Sequence, residues 1–207
     1  MTLKKAANKH ELRTQETRTL LLKAAETIFA RDGYEGAELG EIAALAGRTK
    51  GSIYAQFKSK EDIFLALVED RTMRHRARME KMLAASTTIE GNIAALRSFY
   101  MQLAEDRAWA LLLLEFKLFT IRHPDSKKQY QELYGTVLSE ENEARYTEIL
   151  GSVGKDEISR VLAVQSLLPV ICALILEAQL GTGLSKKSAF SKVITHIFDA
   201  LIEAPGK

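Results

Sequence analysis

Residues 38–60 read ELGEIAALAGRTKGSIYAQFKSK, and the spacing of their apolar side chains decides how the rest of the chain is read. Leu39, Ile42, Ala43 and Ala46 fall at i, i+3, i+4 and i+7, which lines one face of a helix. Gly47 then ends that helix, because glycine enters the left-handed conformation without a Cβ penalty, and Thr49 offers a hydroxyl to cap the next one. In the second helix Ile53 and Phe57 lie one turn apart and face inward, which turns Lys50, Ser52, Tyr54 and Gln56 elsewhere. The spacing predicts two short helices joined by a glycine-containing turn, a helix-turn-helix. Such a unit places its second helix in the major groove of double-stranded DNA.

A chain of 207 residues suits a small module joined to a larger one. With 46% hydrophobic and 27% charged residues it reads as globular rather than disordered. The apolar runs are interrupted: residues 109–114 meet Glu115, and residues 167–176 contain Pro169. No membrane span is therefore expected, and the N-terminus lacks the apolar core of a signal peptide, so the expected location is cytoplasmic. The single cysteine, Cys172, lies in LLPVICALIL and reads as an inert buried thiol. Residues 1–60 hold eleven Lys/Arg against seven Asp/Glu, an excess of +4 in a chain of net +2, so the remainder is −2. The basic excess travels with the helix-turn-helix, as a phosphate-facing module requires.

Residues 1–13, with Lys4, Lys5, Lys9 and Arg13, read as a flexible basic arm. A first helix runs from Thr14 to Gly33 with Leu21, Ala24, Ala25, Ile28 and Phe29 on one stripe, and Tyr34 folds back on the small core. Ser59 and Asp62 open a fourth helix with Ile63, Phe64, Leu67 and Val68 inward. Its crowded cations Arg71, Arg74, His75, Arg76 and Arg78 read as a solvated face, with phosphate contact as the alternative. Ser86 or Thr87 caps helix five, and helix six, AWALLLLEFKLFTIRH, stops before Pro124. Asp125 caps a long helix seven that Gly151 and Gly154 end; helix eight spans Asp156 to about Leu180, and helix nine Ser185 to about Glu203. No strand alternation or internal repeat occurs, so the fold class is all-α with about nine helices. Surplus apolar area on the last two helices predicts a two-fold dimer interface through Leu168, Ile171, Ile175, Phe190, Ile194, Ile197, Phe198 and Leu201.

Taken together, AAETIFARDGY, the IAALAG turn, GSIYAQF and SKEDIF resemble the DNA-binding domain of the TetR family of bacterial transcriptional regulators, over roughly residues 14–64. The resemblance implies a homodimeric repressor that binds a palindromic operator and is released when a small molecule enters the helical domain. It assigns residues 14–60 to DNA binding, 61–85 to a connecting helix and 86–207 to effector binding and dimerisation. It puts the reading helix on Thr49 through Phe57, with Lys50, Ser52 and Gln56 facing the groove and Tyr54 a phosphate. Arg48, Thr49 and Gly51 flank these contacts, and Lys60, beside a helix N-terminus, matches the family's phosphate-binding lysine. Arg48 stands where the family often has an apolar residue, which predicts a side chain that snorkels outward. Leu39 and Gly40 leave the first helix of the pair little to read with, and Ala37 leaves its cap to Gly36 or to water.

An apolar or amphipathic effector would sit among helices five to eight, against Tyr100, Trp109, Leu113, Phe116, Phe119, Tyr134 and Gln165. Glu115, Arg122 and His123 are further polar groups beside those apolar faces. Each has a plainer reading: the aromatic residues as core, the polar ones as satisfied pairs, Tyr54 as a packed ring, Ser52 and Gln56 as surface. Three rival functions stand beside the repressor: a TetR-like activator, a dimeric helical ligand-binding or interaction protein without DNA binding, and an enzyme. The four histidines lack metal-ligand spacing and there is no phosphate loop or nucleophile elbow, so no cofactor, metal or catalytic residue is expected.

Overall fold

The computed structural model describes residues 9–134, 140–152 and 158–202, and every regular element among them is helical. The chain divides into two compact units, Met1–Asp70 and Arg71–Lys207. The boundary falls inside one helix, so the expected connector 61–85 is not a separate piece.

In the N-terminal unit, α1 (Lys9–Gly36) starts earlier than Thr14, so the end of the expected arm is helical; residues 1–8 lie outside the described ones. Gly33 breaks α1 with φ 71° and ψ 178°. All five residues of the predicted stripe, Leu21 through Phe29, are buried. Helices α2 (Leu39–Leu45) and α3 (Lys50–Tyr54) pack on each other, and α1 packs on α2. Tyr34 does fold back: its ring lies 6.2 Å from Phe29 and 4.9 Å from Phe64. Helix α4 (Lys60–Leu83) opens on a variant of the capping box. The Asp62 N–H donates to Ser59 Oγ at 3.1 Å, while the Asp62 carboxylate accepts from the Lys58 N–H at 2.8 Å.

The second unit holds the C-terminal part of α4 with α5 (Ile89–Leu103), α6 (Arg107–Arg122), α7 (Lys127–Tyr134), α8 (Glu140–Leu150), α9 (Arg160–Gln179) and α10 (Lys187–Ile202). That makes ten α-helices among the described residues, one more than expected. The expected long seventh helix is α7 and α8, with residues 135–139 outside the described ones, and Asp125 sits inside a short 3-10 turn rather than capping it. The cap of α5 is Thr88, whose Oγ1 accepts from the Gly91 N–H at 3.0 Å, rather than Ser86 or Thr87. Gly151 takes φ 81° just past α8; Gly154, Asp156 and Glu203 lie outside the described residues. Ser159 caps α9, and Glu143 accepts the next two exposed donors, the N–H groups of Arg160 and Val161, at 3.0 and 3.1 Å.

Helix α9 is the hub, packed against α5, α6, α8 and α10. It retains Pro169 within its span, and by length and composition it is long enough and apolar enough to cross a membrane, against the expectation that Pro169 interrupts the apolar run. The buried residues of α9 and α10 correct half of the predicted dimer stripe. Ile171, Ile175, Ile194 and Phe198 are at most 3% exposed, sealed in the chain's own core, and so have no area left for a partner. The i, i+4, i+8 set Ile194, Phe198 and Ile202 defines the inward face of α10. Phe190, Ile197 and Leu201 are half-buried. On α9, Leu162 is 45% exposed, and Leu180, its C-cap, is 74% exposed. Cys172 is buried, and burial pushes its thiol up to about 11, which keeps it protonated.

Candidate nucleic-acid interface and effector cavity

The corner between α2 and α3 is a Schellman motif closed by a capped start. The Arg48 N–H donates to Ala43 O at 2.8 Å and the Gly47 N–H to Ala44 O at 3.0 Å, with Gly47 at φ 63°. Thr49 Oγ1 then accepts from the Ser52 N–H at 3.3 Å, so α3 starts where its sequence predicts. Ile42, Ile53 and Phe57 are buried beneath the corner, which fixes the direction of the remaining face. Helix α3 is short, ending at Tyr54, and the chain turns once more to Phe57 through a 2.7 Å bond to Ile53 O. No side chain caps α2; its N-cap is Glu38.

On the outer face Thr49, Lys50, Gly51 and Tyr54 are exposed, and Arg48, Ser52 and Gln56 are half-buried. Tyr54 is 55% exposed, which sets aside the packed-ring reading. Ser52 Oγ lies 3.0 Å from Thr49 Oγ1, so that hydroxyl is partly committed to the cap. Arg48 donates to its neighbour's carbonyl, Gly47 O, at 3.2 Å. Lys60 is engaged inside the unit: its ammonium donates to Glu35 O at 2.9 Å and to Ala37 O at 3.4 Å, and lies 4.9 Å from the centre of the Tyr34 ring. It pins the corner that leads into α2. Arg31 is neutralised locally by Asp32 and Glu41, each at 2.6 Å, which leaves it out of the cationic face.

In the second unit a cavity of about 410 Å³ opens between α4, α5, α6, α7, α8 and α9. Five of the seven predicted pocket residues line it: Tyr100, Trp109, Leu113, Tyr134 and Gln165. Phe116 and Phe119 do not. Phe116 is fully buried against the rings of Tyr130 and Tyr134, and Phe119 stacks on His123 at 4.3 Å, so both are core. Glu115, Arg122 and His123 also lie outside the lining; the His123 ring nitrogen is 3.0 Å from Phe119 O. Leu168, predicted at a dimer interface, lines this cavity instead, beside Pro169.

The missed wall is α4. Thr72, His75, Arg76 and Met79 line the cavity at i, i+3, i+4 and i+7, an inward stripe concealed by its charges. The expectation of a solvated run therefore holds for Arg74 and Arg78, which are exposed, and fails for the rest. Arg71 bonds the Asp106 carboxylate, and Arg76 donates to Leu133 O. Burial, with Arg71 close by, lowers the His75 pKa to about 4 despite Asp106 at 3.9 Å, so the ring is neutral near pH 7. Burial likewise raises Tyr100 and pushes Tyr134 up to about 12, which keeps both phenols protonated. Tyr134 Oη and Thr72 Oγ1 are 2.9 Å apart, and Tyr100 donates to Val164 O at 3.2 Å.

Residues 21–67 match the pattern described as bacterial regulatory proteins, tetR family. Over this stretch the chain is similar to the TetR family. One relative is the HTH-type transcriptional regulator AcrR of Shigella flexneri, 43% identical over 63 residues, 30% of this chain and 29% of that protein. The match thus spans under a third of that relative's own length. Solved structures share the whole fold: a regulator from Saccharomonospora viridis in complex with choline gives a TM-score of 0.69 at 19% identity, over 91% of this chain and 96% of that one. The regulator FadR of Bacillus subtilis, in complex with stearoyl-CoA, gives 0.61 at 22% identity, over 91% and 99%. The TetR-type match lies in the N-terminal unit, and the helical unit is similar in fold.

Proposed function

We propose that this protein is a cytoplasmic, sequence-specific DNA-binding repressor, a homodimer that reads a palindromic operator and lets go when an apolar or amphipathic small molecule fills the helical cavity. The observation that carries the reading is the α2–Gly47–Thr49–α3 corner. It buries Ile42, Ile53 and Phe57 and leaves Lys50, Tyr54 and Gln56 outward on a segment that matches the TetR family. Major-groove entry by such a helix would put Lys50, Ser52 and Gln56 at base edges and Tyr54 at a phosphate. Gly51 allows close approach of the backbone. Arg48 and Lys60 add phosphate contacts, Lys60 by exchanging its carbonyl partners for a phosphate.

Two such units in a dimer would stand roughly 34–36 Å apart, or a multiple of that, to meet successive major grooves. The half-buried stripe Phe190, Ile197 and Leu201 on α10, with exposed Leu162 on α9, supplies an apolar face for the two-fold contact. The cavity supports effector binding, as do fold neighbours solved with stearoyl-CoA and with choline.

Fluorescence anisotropy against DNA from upstream of its own gene tests the reading, with scrambled DNA as the reference. Gln56→Ala should lose about 1–3 kcal/mol of discrimination at one base position. Lys60→Ala should weaken both DNAs and shallow the salt slope by about one phosphate. Equal binding of upstream and scrambled DNA would overturn sequence-specific reading, and binding of neither would leave the ligand-binding reading without DNA binding in its place.

A further inference from the structure

The charges around the cavity are one-sided. Arg76 on α4 and Lys117 on α6 line it, and among the described residues no Asp or Glu does. Three of the hydroxyls there are matched, Thr72 with Tyr134 and Tyr100 with Val164 O, and Tyr130 and Tyr146 add neutral phenols to the same lining. Arg76 gives one arm to Leu133 O, which leaves its other N–H donors. His75 lines the same wall as a neutral ring whose buried Nε2 has no hydrogen-bond partner among the described residues. Asp106, the carboxylate nearest in contact with that ring, is bonded to Arg71 and caps the Trp109 N–H at 3.0 Å. Polar groups beside an apolar wall are costly to desolvate unless a partner arrives, and here the charged ones, Arg76 and Lys117, are both cationic donors.

We infer that the effector is an amphipathic anion: an aromatic or alkyl body packed on Trp109, Phe99 and Leu103, with one acidic group met by Arg76 and Lys117. The inference rests on the effector reading of the cavity and narrows its chemistry. A cationic ligand would gain from the aromatic walls, yet among the described residues it would meet two like charges and no carboxylate on the lining. A neutral apolar ligand would strip water from Arg76 and Lys117 without replacing it. An anion answers both, since charge-assisted hydrogen bonds gain strength where the surroundings are apolar.

The test uses the full-length dimer and two probes that share one ring skeleton, anilinonaphthalene sulfonate and the uncharged phenylnaphthylamine. Trp109 is the chain's single tryptophan and lines the cavity, so a probe bound there quenches its emission. Lys117→Met and Arg76→Met should each weaken the sulfonate about tenfold and leave the uncharged probe unchanged. Lys117→Gln, which keeps a polar side chain, should reproduce the loss and so separate charge from folding. If both probes quench Trp109 and the variants alter them equally, or not at all, the anionic class is overturned while the cavity remains a binding site. If neither probe quenches Trp109, the effector reading falls with it.

Discussion

Phe29, Tyr34 and Phe64 in the N-terminal unit close on one another, with ring centres 4.9 to 6.2 Å apart. In the helical unit Tyr100, Trp109 and Tyr134 stand around about 410 Å³ of space instead. The two units use the same residue types for opposite ends. A surface that must present a rigid helix to a groove needs its core filled, because any slack beneath α3 would blur the position of every outward side chain. A unit that is to admit a molecule, as proposed for the helical one, would leave its aromatic walls apart and accept the loss of packing. The family pattern at residues 21–67 falls within the filled unit. Groove geometry is common to all DNA, whereas a cavity is shaped by its own ligand.

Truncation measures that contrast most directly. Phe64→Ala, in a filled core, should cost about 3–5 kcal/mol in denaturant unfolding, whereas Leu168→Ala, on the half-buried cavity wall, should cost about 1 kcal/mol. Equal costs would mean that the cavity wall is as tightly packed as the core. Next comes backbone strain. Gly47 and Gly181 both take positive φ with open space around the missing Cβ, so Gly47→Ala and Gly181→Ala should each lose about 1–2 kcal/mol. Only the Gly47 variant should also lose DNA affinity beyond its stability loss, because it alone aims α3. Smaller still is the cap: Thr49→Ala should lower stability by about 1 kcal/mol and Thr49→Ser should recover it, read by thermal melting. The last effect is absent at neutral pH. His75 is neutral in the fold down to about pH 4, while the unfolded ring protonates near 6.5. The unfolded state therefore binds the extra proton, and stability falls as pH drops from about 6.5 towards 4. His75→Gln should flatten that part of the curve, and an unchanged acid limb would place the sensitivity elsewhere.

The N-terminal unit was legible because its stops and caps are written in unusual residues. Gly33 and Gly47 break helices where only glycine is comfortable, and Thr49 is the single hydroxyl at its corner that can cap α3. Where several candidates adjoin, the sequence could not choose. Ser86, Thr87 and Thr88 have nearly equal capping chemistry, and only the backbone path selects Thr88. Apolar helices were opaque for a related reason. Helix α9 is apolar nearly all round, so periodicity could not tell the core side of Ile171 and Ile175 from the side of Leu162. Phe116 and Tyr134 look alike as wall or filling until the neighbouring helices are in place. Helix α4 was the opposite case. The i, i+3, i+4, i+7 pattern of Thr72, His75, Arg76 and Met79 was readable, but charge suggested solvent, whereas long cationic side chains can border a cavity as readily as water.

Lys60 carries an implication for how the protein would let go of an operator. An ammonium offers three donors, and in the unbound unit two already point at Glu35 O and Ala37 O. A phosphate that took only the spare donor would be a loose tether. One that took more would compete with the carbonyls that hold the entrance to α2, so grip on the backbone and order at that entrance would trade against each other. Release would then have a place to begin: the carbonyls reclaim the lysine, and the phosphate is handed back to water.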